Sequence, residues 1–249
     1  MSGDILDGVR LRTESIMHLA FASSFLFLGK SIVREEFINA IKSNHKSFDV
    51  KLPDETVARL ADYYELIQEH NPILHLVGPC SPEEFATRHI LESLTLLKHL
   101  PDDATFADIG AGAGLPSIPC LIAREDLRAV LIESKEKKSA FLTTAIQALK
   151  IEERAEIVTR QFSEIKRPGE VQFVTCRALD KFTEKVRQLI KWSGTSMLLF
   201  FAGPTLAYEM RKFGVKFKEE RMPGSERRFL FIGKHSPIVK DRPSTGRGR

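Results

Sequence analysis

Residues 105–133 read TFADIGAGAGLPSIPCLIAREDLRAVLIE. Thr105 to Ile109 is a short apolar run with strand character, and Ala129 to Ile132 is another. Between them stand Gly110, Gly112 and Gly114, followed by an apolar segment of helical length. Strand, glycine turn, helix and strand in that order form one unit of a parallel sheet. Glycines at the end of a strand permit positive φ and let the backbone approach a ligand closely. The helix starting near Leu115 presents its unpaired N–H groups to whatever occupies the turn. Ligands of such sheets bind beyond the carboxyl ends of the strands, where the strand order reverses. Glycines also end strands for purely structural reasons. What favours a site here is Glu133, closing the second strand about 20 residues after the turn, where a carboxylate accepts hydrogen bonds from both hydroxyls of a ribose. The competing reading of Glu133 is an exposed strand-end residue that caps the next helix.

The dinucleotide fingerprint G-x-G-x-x-G does not fit. Counted from Gly110 its third glycine falls on Leu115, and counted from Gly112 it falls on Ser117. The pattern is G-x-G-x-G with Asp108 two residues upstream. No pyrophosphate is demanded, and a ligand with an amino-acid tail and a ribose fits instead.

Outward from this unit the alternation continues. Strands are expected at 105–109, 128–133, 155–160, 171–176, 195–201, 215–219 and 228–233, and helices near 115–123, 135–149, 181–192 and 205–213. The last two strands are separated by a short turn at Met222, Pro223, Gly224 and Ser225, so they pair as an antiparallel hairpin. The expected fold is α/β: a mostly parallel, seven-stranded sheet with helices on both faces and an N-terminal helical extension. Upstream, a helix starts after Pro53, with Val57, Leu60, Ala61, Tyr64 and Ile67 on one face, and ends near Asn71-Pro72. The next helix starts at Ser81-Pro82 with Glu84 completing a capping box, buries Ile90, Leu94 and Leu97, and closes at Pro101.

The domain expectation is an N-terminal extension at 1–53, a main domain with its N-terminal helices at 54–234, and a basic tail at 235–249. Polar residues 42–53 read as a linker. The apolar stretch 16–29 is shorter than the ~20 residues of a membrane span. Asp4, Asp7 and Glu14 sit in the flank that a signal peptide keeps basic. No membrane partner is expected.

Hydrophobic residues make up 43% of the 249 and charged residues 28%, which allows a sizeable core under a solvated surface. Net charge is +4, but residues 201–249 hold 12 Lys or Arg against 5 Asp or Glu, while the first 200 are net acidic. A basic end is compatible with nucleic acid and equally with a solvated surface. Cys80, Cys120 and Cys176 are three and far apart, which indicates neither a disulfide framework nor a metal site and fits a reducing cytoplasmic setting.

Further residues then align into a pattern. Arg88-His89-Ile90-Leu91-Glu92-Ser93 precedes the run from Asp108 through Pro119. Glu133-Ser134-Lys135-Glu136-Lys137-Lys138, Phe141-Leu142 and Arg177-Ala178 follow in order. Over about residues 54–234 the chain resembles the RsmG (GidB) family, methyltransferases that form 7-methylguanosine in 16S ribosomal RNA. The resemblance implies a class I methyltransferase fold and S-adenosyl-L-methionine as cofactor. It implies a partner in 16S ribosomal RNA or the small ribosomal subunit. A cytoplasmic monomer is expected. The resemblance places Gly110, Leu115, Ser163, Glu164 and Arg177 at the cofactor, with Arg177 also the catalytic candidate, and they join Asp108, Gly112, Gly114 and Glu133 from the turn and strand end as candidate cofactor-binding residues. Arg88, Lys135, Lys138, Arg227 and Arg228 become candidate RNA contacts, the alternative being solvated helix and strand ends. Two positions depart from the family: Ser117 replaces a usual glycine, and Ala202-Gly203 replaces Lys-Gly after the fifth strand.

The chemistry agrees. Methyl transfer from a sulfonium is an in-line displacement in which orientation contributes ~7–11 kcal/mol. Guanine N7 has a free lone pair and needs no base. No Asn-Pro-Pro-Tyr or Asp-Pro-Pro-Tyr run follows the fourth strand. Cys176 sits where pyrimidine C5 methyltransferases carry a nucleophilic thiolate, but it lacks the usual neighbouring proline, and a free cysteine is more often a small core residue. His89 reads as a partly buried histidine. The rival readings are a methyltransferase of a small molecule or protein, an inactive RNA-binding homologue suggested by Ser117 and Ala202, and last an NAD-dependent dehydrogenase.

Overall fold

The computed structural model describes residues 31–177 and 182–235, except the Thr183 side chain. The apolar stretch 16–29, Ala178 and the tail from 236 lie outside the described residues. Residues 31–44 are helical (α1) and run into a 3-10 turn, His45–Phe48. The linker reading of 42–53 is corrected here. Residues 42–47 are polar because they cover the surface, while Phe48 and Val50 dip into the same core as Phe37 and Ile41 of α1.

The second helix, α2 (Asp54–Leu74), buries the five expected residues and carries Pro72 inside its last turns. The start of α3 (Pro82–Glu84) is fixed by Ser81, whose hydroxyl accepts from the Glu84 N–H at 3.1 Å. Glu84 turns its carboxylate to Arg88 at 2.8 Å. The chain then widens into a π-helical stretch, Phe85–Leu91, and continues as α4 (Glu92–Leu94) and a 3-10 turn, Thr95–His99. A π turn spans more residues than an α turn, so the inward face slips around the axis. Ile90 and Leu94 are buried as regular spacing requires, but Leu96 is fully buried where Leu97 was expected, and Glu92 and Ser93 come inside with it.

The rest follows as β1 (Thr105–Ile109), α5 (Ser117–Ala123), β2 (Arg128–Ile132), α6 (Glu136–Ala148), β3 (Ala155–Val158), β4 (Phe173–Cys176), α7 (Phe182–Ser193), β5 (Met197–Ala202), α8 (Thr205–Lys212), β6 (Val215–Arg221) and β7 (Phe229–His235). Each lies within two residues of its expected ends. The sheet order is β3-β2-β1-β4-β5-β7-β6, parallel except for β7, which is antiparallel to both neighbours. Side chains alternate between two cores, as pleating requires. Phe106, Ala129, Leu131, Leu199 and Phe201 face the core that holds α1, α2, α5 and α6. Ala107, Ile109, Val130, Ile132, Leu198 and Phe200 face α7 and α8. The chain leaves β1 toward β2 and β3, then returns to its other side at β4, so the strand order reverses at β1–β4 and opens a crevice above their carboxyl ends.

Candidate active site

The glycine turn lies in that crevice. Gly110 and Ala111 donate their N–H groups to the Ile132 carbonyl at 2.8 and 3.2 Å, which ties the turn to β2. Gly110, Gly112 and Gly114 all have positive φ, of 72, 57 and 90°. Gly114 carries a second constraint: a Cβ there would stand 2.4 Å from the Ile118 side chain. Gly114 therefore serves helix packing, and the cavity is lined by Gly110, Ala111, Gly112, Ala113 and Leu115.

Across this cavity, about 300 Å³, stands Glu133, 6% exposed. Its carboxylate accepts the Gly112 N–H at 3.0 Å and the Lys135 N–H at 2.8 Å. These bonds hold the group in its rotamer and take one lone pair on each oxygen, leaving further acceptor capacity facing the cavity. Lys135 and Lys138 line the same cavity, and Arg177 stands on its other side. Ser163 and Glu164 are exposed on the 3-10 turn Phe162–Glu164. From that loop it is Arg160, Gln161 and Phe162 that reach a small adjoining recess.

Asp108 lies beneath the turn with no solvent exposure. Ser117 donates its hydroxyl to Asp108 Oδ2 at 2.7 Å, and Oδ1 has no hydrogen-bond partner among the described residues. Burial pushes this carboxyl up to about 7, the Ser117 hydroxyl offsets part of the rise, and the Glu133 charge adds to it. Ser117 thus fills its position with a hydroxyl that serves Asp108. Below the turn, Tyr63 of α2 donates to the Ala113 carbonyl at 2.7 Å, bracing the loop from the N-terminal helices.

A second cavity, about 430 Å³, adjoins the first and shares Arg177 and His89 with it. Arg88, Glu92, Phe182, Phe201, Arg228 and Phe229 complete most of its wall. At its base is an ion triad. Glu92, 2% exposed, accepts from Arg177 Nη2 at 3.1 Å and from Arg228 Nε at 2.6 Å. Arg177 also donates to the Arg88 carbonyl and to Ser93 Oγ, and its guanidinium lies 5.3 Å from the Phe201 ring centre. Arg228 is therefore a structural partner as well as a surface cation. Arg227 remains exposed on the β6–β7 turn.

Sequence reasoning quoted Glu92 but gave it no role. At regular helical spacing Glu92 lies off the apolar face, and it is buried because residues 90–96 are enclosed on every side. His89 is also placed more centrally than expected, between the two cavities. Burial, then the positive charges of Arg177, Arg88 and Arg228, push it down to about 3, so its ring is neutral at physiological pH. Cys176 is fully buried in the core under α7 and lines neither large cavity, which fits a core residue and not a nucleophile.

The fold is shared with solved structures of low identity. A SAM dependent methyltransferase from Aquifex aeolicus superposes with a TM-score of 0.50 at 13% identity, over 70% of this chain and 98% of that one. The pyocyanin biosynthetic protein PhzM gives 0.50 at 13%, over 62% and 57%. Curated relatives are nearer in sequence. The ribosomal RNA small subunit methyltransferase G of Pelotomaculum thermopropionicum is 40% identical over 114 residues, covering 45% of this chain and 48% of that protein. The protein of the same name from Nitrosospira multiformis is 34% identical over 138 residues, covering 55% and 63%. The chain thus spans about half to two-thirds of the length of these relatives. The family model of GidB, described as rRNA small subunit methyltransferase G, matches residues 56–222, from α2 through β6. With the glycine turn, Glu133 and Arg177 all inside that range, the chain belongs to the GidB family.

Proposed function

We propose that this protein methylates N7 of a guanine in 16S ribosomal RNA of the small subunit, with S-adenosyl-L-methionine as methyl donor, in the cytoplasm and as a monomer. The observation that carries the reading is Glu133, a nearly buried carboxylate fixed by two backbone N–H groups across a glycine-walled cavity. That donor and acceptor set suits a ribose diol beside a close-approaching backbone. When bound, the cofactor supplies a methyl on a sulfonium; the N7 lone pair takes it, the C–S electrons stay on sulfur, and no proton moves. The chain's part is positioning. Glu133 orients the ribose, the side-chain-free turn lets the cofactor tail approach the backbone closely, and Arg177 stands in the wall shared by the two cavities. Neutral His89 in the same wall adds no charge against the sulfonium. Lys135 and Lys138, which line the first cavity, and the exposed Arg88 and Arg227 would meet RNA phosphates, so RNA affinity should fall steeply with salt.

Replacing Glu133 by alanine removes the charged acceptor of two hydroxyls, worth about 1.5–3 kcal/mol. Calorimetry with S-adenosylhomocysteine should show affinity reduced roughly tenfold or more. Unchanged affinity in a folded variant rejects the ribose assignment. Mass spectrometry of ribosomal RNA nucleosides, with and without the gene, tests the target: 7-methylguanosine should disappear with the gene.

The absence of a proton transfer has its own signature. At saturating cofactor the single-turnover rate should be nearly flat from about pH 6.5 to 8.5, since a required base would impose its titration on the profile. Cys176→Ala should stay active and Arg177→Ala should lose most activity. A tenfold rise per pH unit, or an inactive but folded Cys176→Ala, points to covalent pyrimidine chemistry instead.

A further inference from the structure

We propose that the second cavity is the seat of a single nucleotide turned out of its RNA helix, with its phosphate on Arg228 and its purine ring against Phe229. The proposal rests on the methyl-transfer reading above and adds where the target sits and what holds it.

A target N7 inside duplex RNA would lie in a deep, narrow major groove that side chains do not enter. Enzymes that do chemistry on a base therefore take it out of the stack and into a pocket. Such a pocket must adjoin the methyl donor. The second cavity does: His89 and Arg177 belong to both walls, so a base in one space meets the donor in the other across a single layer of side chains. Its volume of about 430 Å³ is in the range of sites for small ligands.

The lining suits the two halves of a nucleotide. Phe182 and Phe229, both half-buried, give flat apolar surfaces, and aromatic rings hold unstacked bases without regard to sequence. Ala202 and Gly203 leave room where a long side chain would intrude. Arg228 has one nitrogen committed: its Nε donates to buried Glu92 at 2.6 Å. Its two terminal amino groups make no hydrogen bond with a described residue, and its side chain is 40% exposed. Glu92 thus fixes the guanidinium while its outer donors stay available for a two-oxygen acceptor. That acceptor is a phosphate. If the fork instead took the guanine O6 and N7, it would occupy the lone pair that must react. Arg88 in the same wall is paired with Glu84, so Arg177 and Arg228 exceed Glu92 by one, which matches the single negative charge of a phosphodiester.

Saturation-transfer NMR and titration with guanosine 5′-monophosphate test this on the full chain saturated with S-adenosylhomocysteine. The nucleotide should bind without displacing S-adenosylhomocysteine, and guanosine should bind about tenfold more weakly for want of the phosphate. Arg228→Gln should weaken the nucleotide at least tenfold and leave guanosine nearly unchanged. Phe229→Leu should weaken both about three- to tenfold. Both variants should hold S-adenosylhomocysteine within twofold of the wild type. Arg228→Lys keeps a cation beside Glu92 and substitutes if Arg228→Gln unfolds. The proposal is overturned if the nucleotide competes with S-adenosylhomocysteine, if the folded variants bind it as the wild type does, or if it fails to bind. If the wild type has no affinity for S-adenosylhomocysteine, the methyl-transfer reading falls too, and that measurement separates the two failures.

Discussion

Replacing Glu92 by alanine should cost about 3–5 kcal/mol of stability and abolish activity. The carboxylate is 2% exposed and is shared by two guanidinium groups. Removing it leaves the largely buried Arg177 without its carboxylate, with a second cation, Arg228, close by, and breaking a buried pair on one side costs about that amount. It also frees Arg177 from the wall between the cavities and releases the β6–β7 turn, which Arg228 tethers to α4. Urea unfolding measures the first effect and methyl transfer to small-subunit RNA the second. The triple variant Glu92→Met, Arg177→Met, Arg228→Leu provides the contrast. Apolar replacement of a whole buried ionic cluster is often neutral or stabilising, so this variant should regain stability without activity. A loss below about 1 kcal/mol in Glu92→Ala would falsify the view that Glu92 holds the site together.

Asp108→Asn should act in the opposite direction on stability. The folded carboxyl is raised to about 7 from its ordinary 3.8, chiefly by burial. Below about pH 3.8 folded and unfolded chains both hold the proton, and nothing is lost. Between about 3.8 and 7 the unfolded chain has released it while the folded chain keeps it, so stability falls by ~1.4 kcal/mol per pH unit. Above about 7 the penalty is constant and on the order of 4 kcal/mol. The asparagine variant carries no such penalty. It should be more stable than the wild type at pH 8 by up to about that amount, with the difference shrinking toward pH 4. Cofactor affinity should fall at the same time, because the carboxylate supports the turn from below through Ser117 and α5. Equal denaturation midpoints of variant and wild type at pH 8 and pH 4 would reject the linkage.

Much of the site was legible because its signals are local. A glycine turn must follow a strand directly, and a strand-end carboxylate must follow one unit later, so Gly110, Gly112 and Glu133 could be picked from spacing. Asp108 and Gly114 were picked by the same spacing, but neither lines the cavity: Asp108 supports the turn from beneath it, and Gly114 yields space to Ile118. Ser163 and Glu164 came from alignment with a family pattern. Their loop places them in solvent and sends Gln161 and Phe162 toward the site, because a 3-10 turn rotates its side chains differently from the strand before it.

The sequence by itself determined the elements and their type, since apolar periodicity of 2 or 3.6 is written residue by residue. It determined that β6 and β7 pair, because the short connection between them, with its turn at Met222 to Ser225, leaves no room for a helix. It did not determine that β7 enters the sheet beside β5 and leaves β6 at the edge. That is decided by burial: β7 carries Leu230 and Phe231, which both cores take in, whereas β6 alternates Lys216, Lys218, Glu220 and other charged residues that tolerate an open edge. Nor could it place Glu92. A helix read at 3.6 residues per turn has one inward face, whereas residues 90–96 are enclosed on every side after the π turn at Phe85–Leu91. The ion triad joins residues 92, 177 and 228, whose separation along the chain hides their contact. Only the closing of the sheet between them brings the three charges to one point, because a carboxylate can be buried there only where cationic partners pair with it.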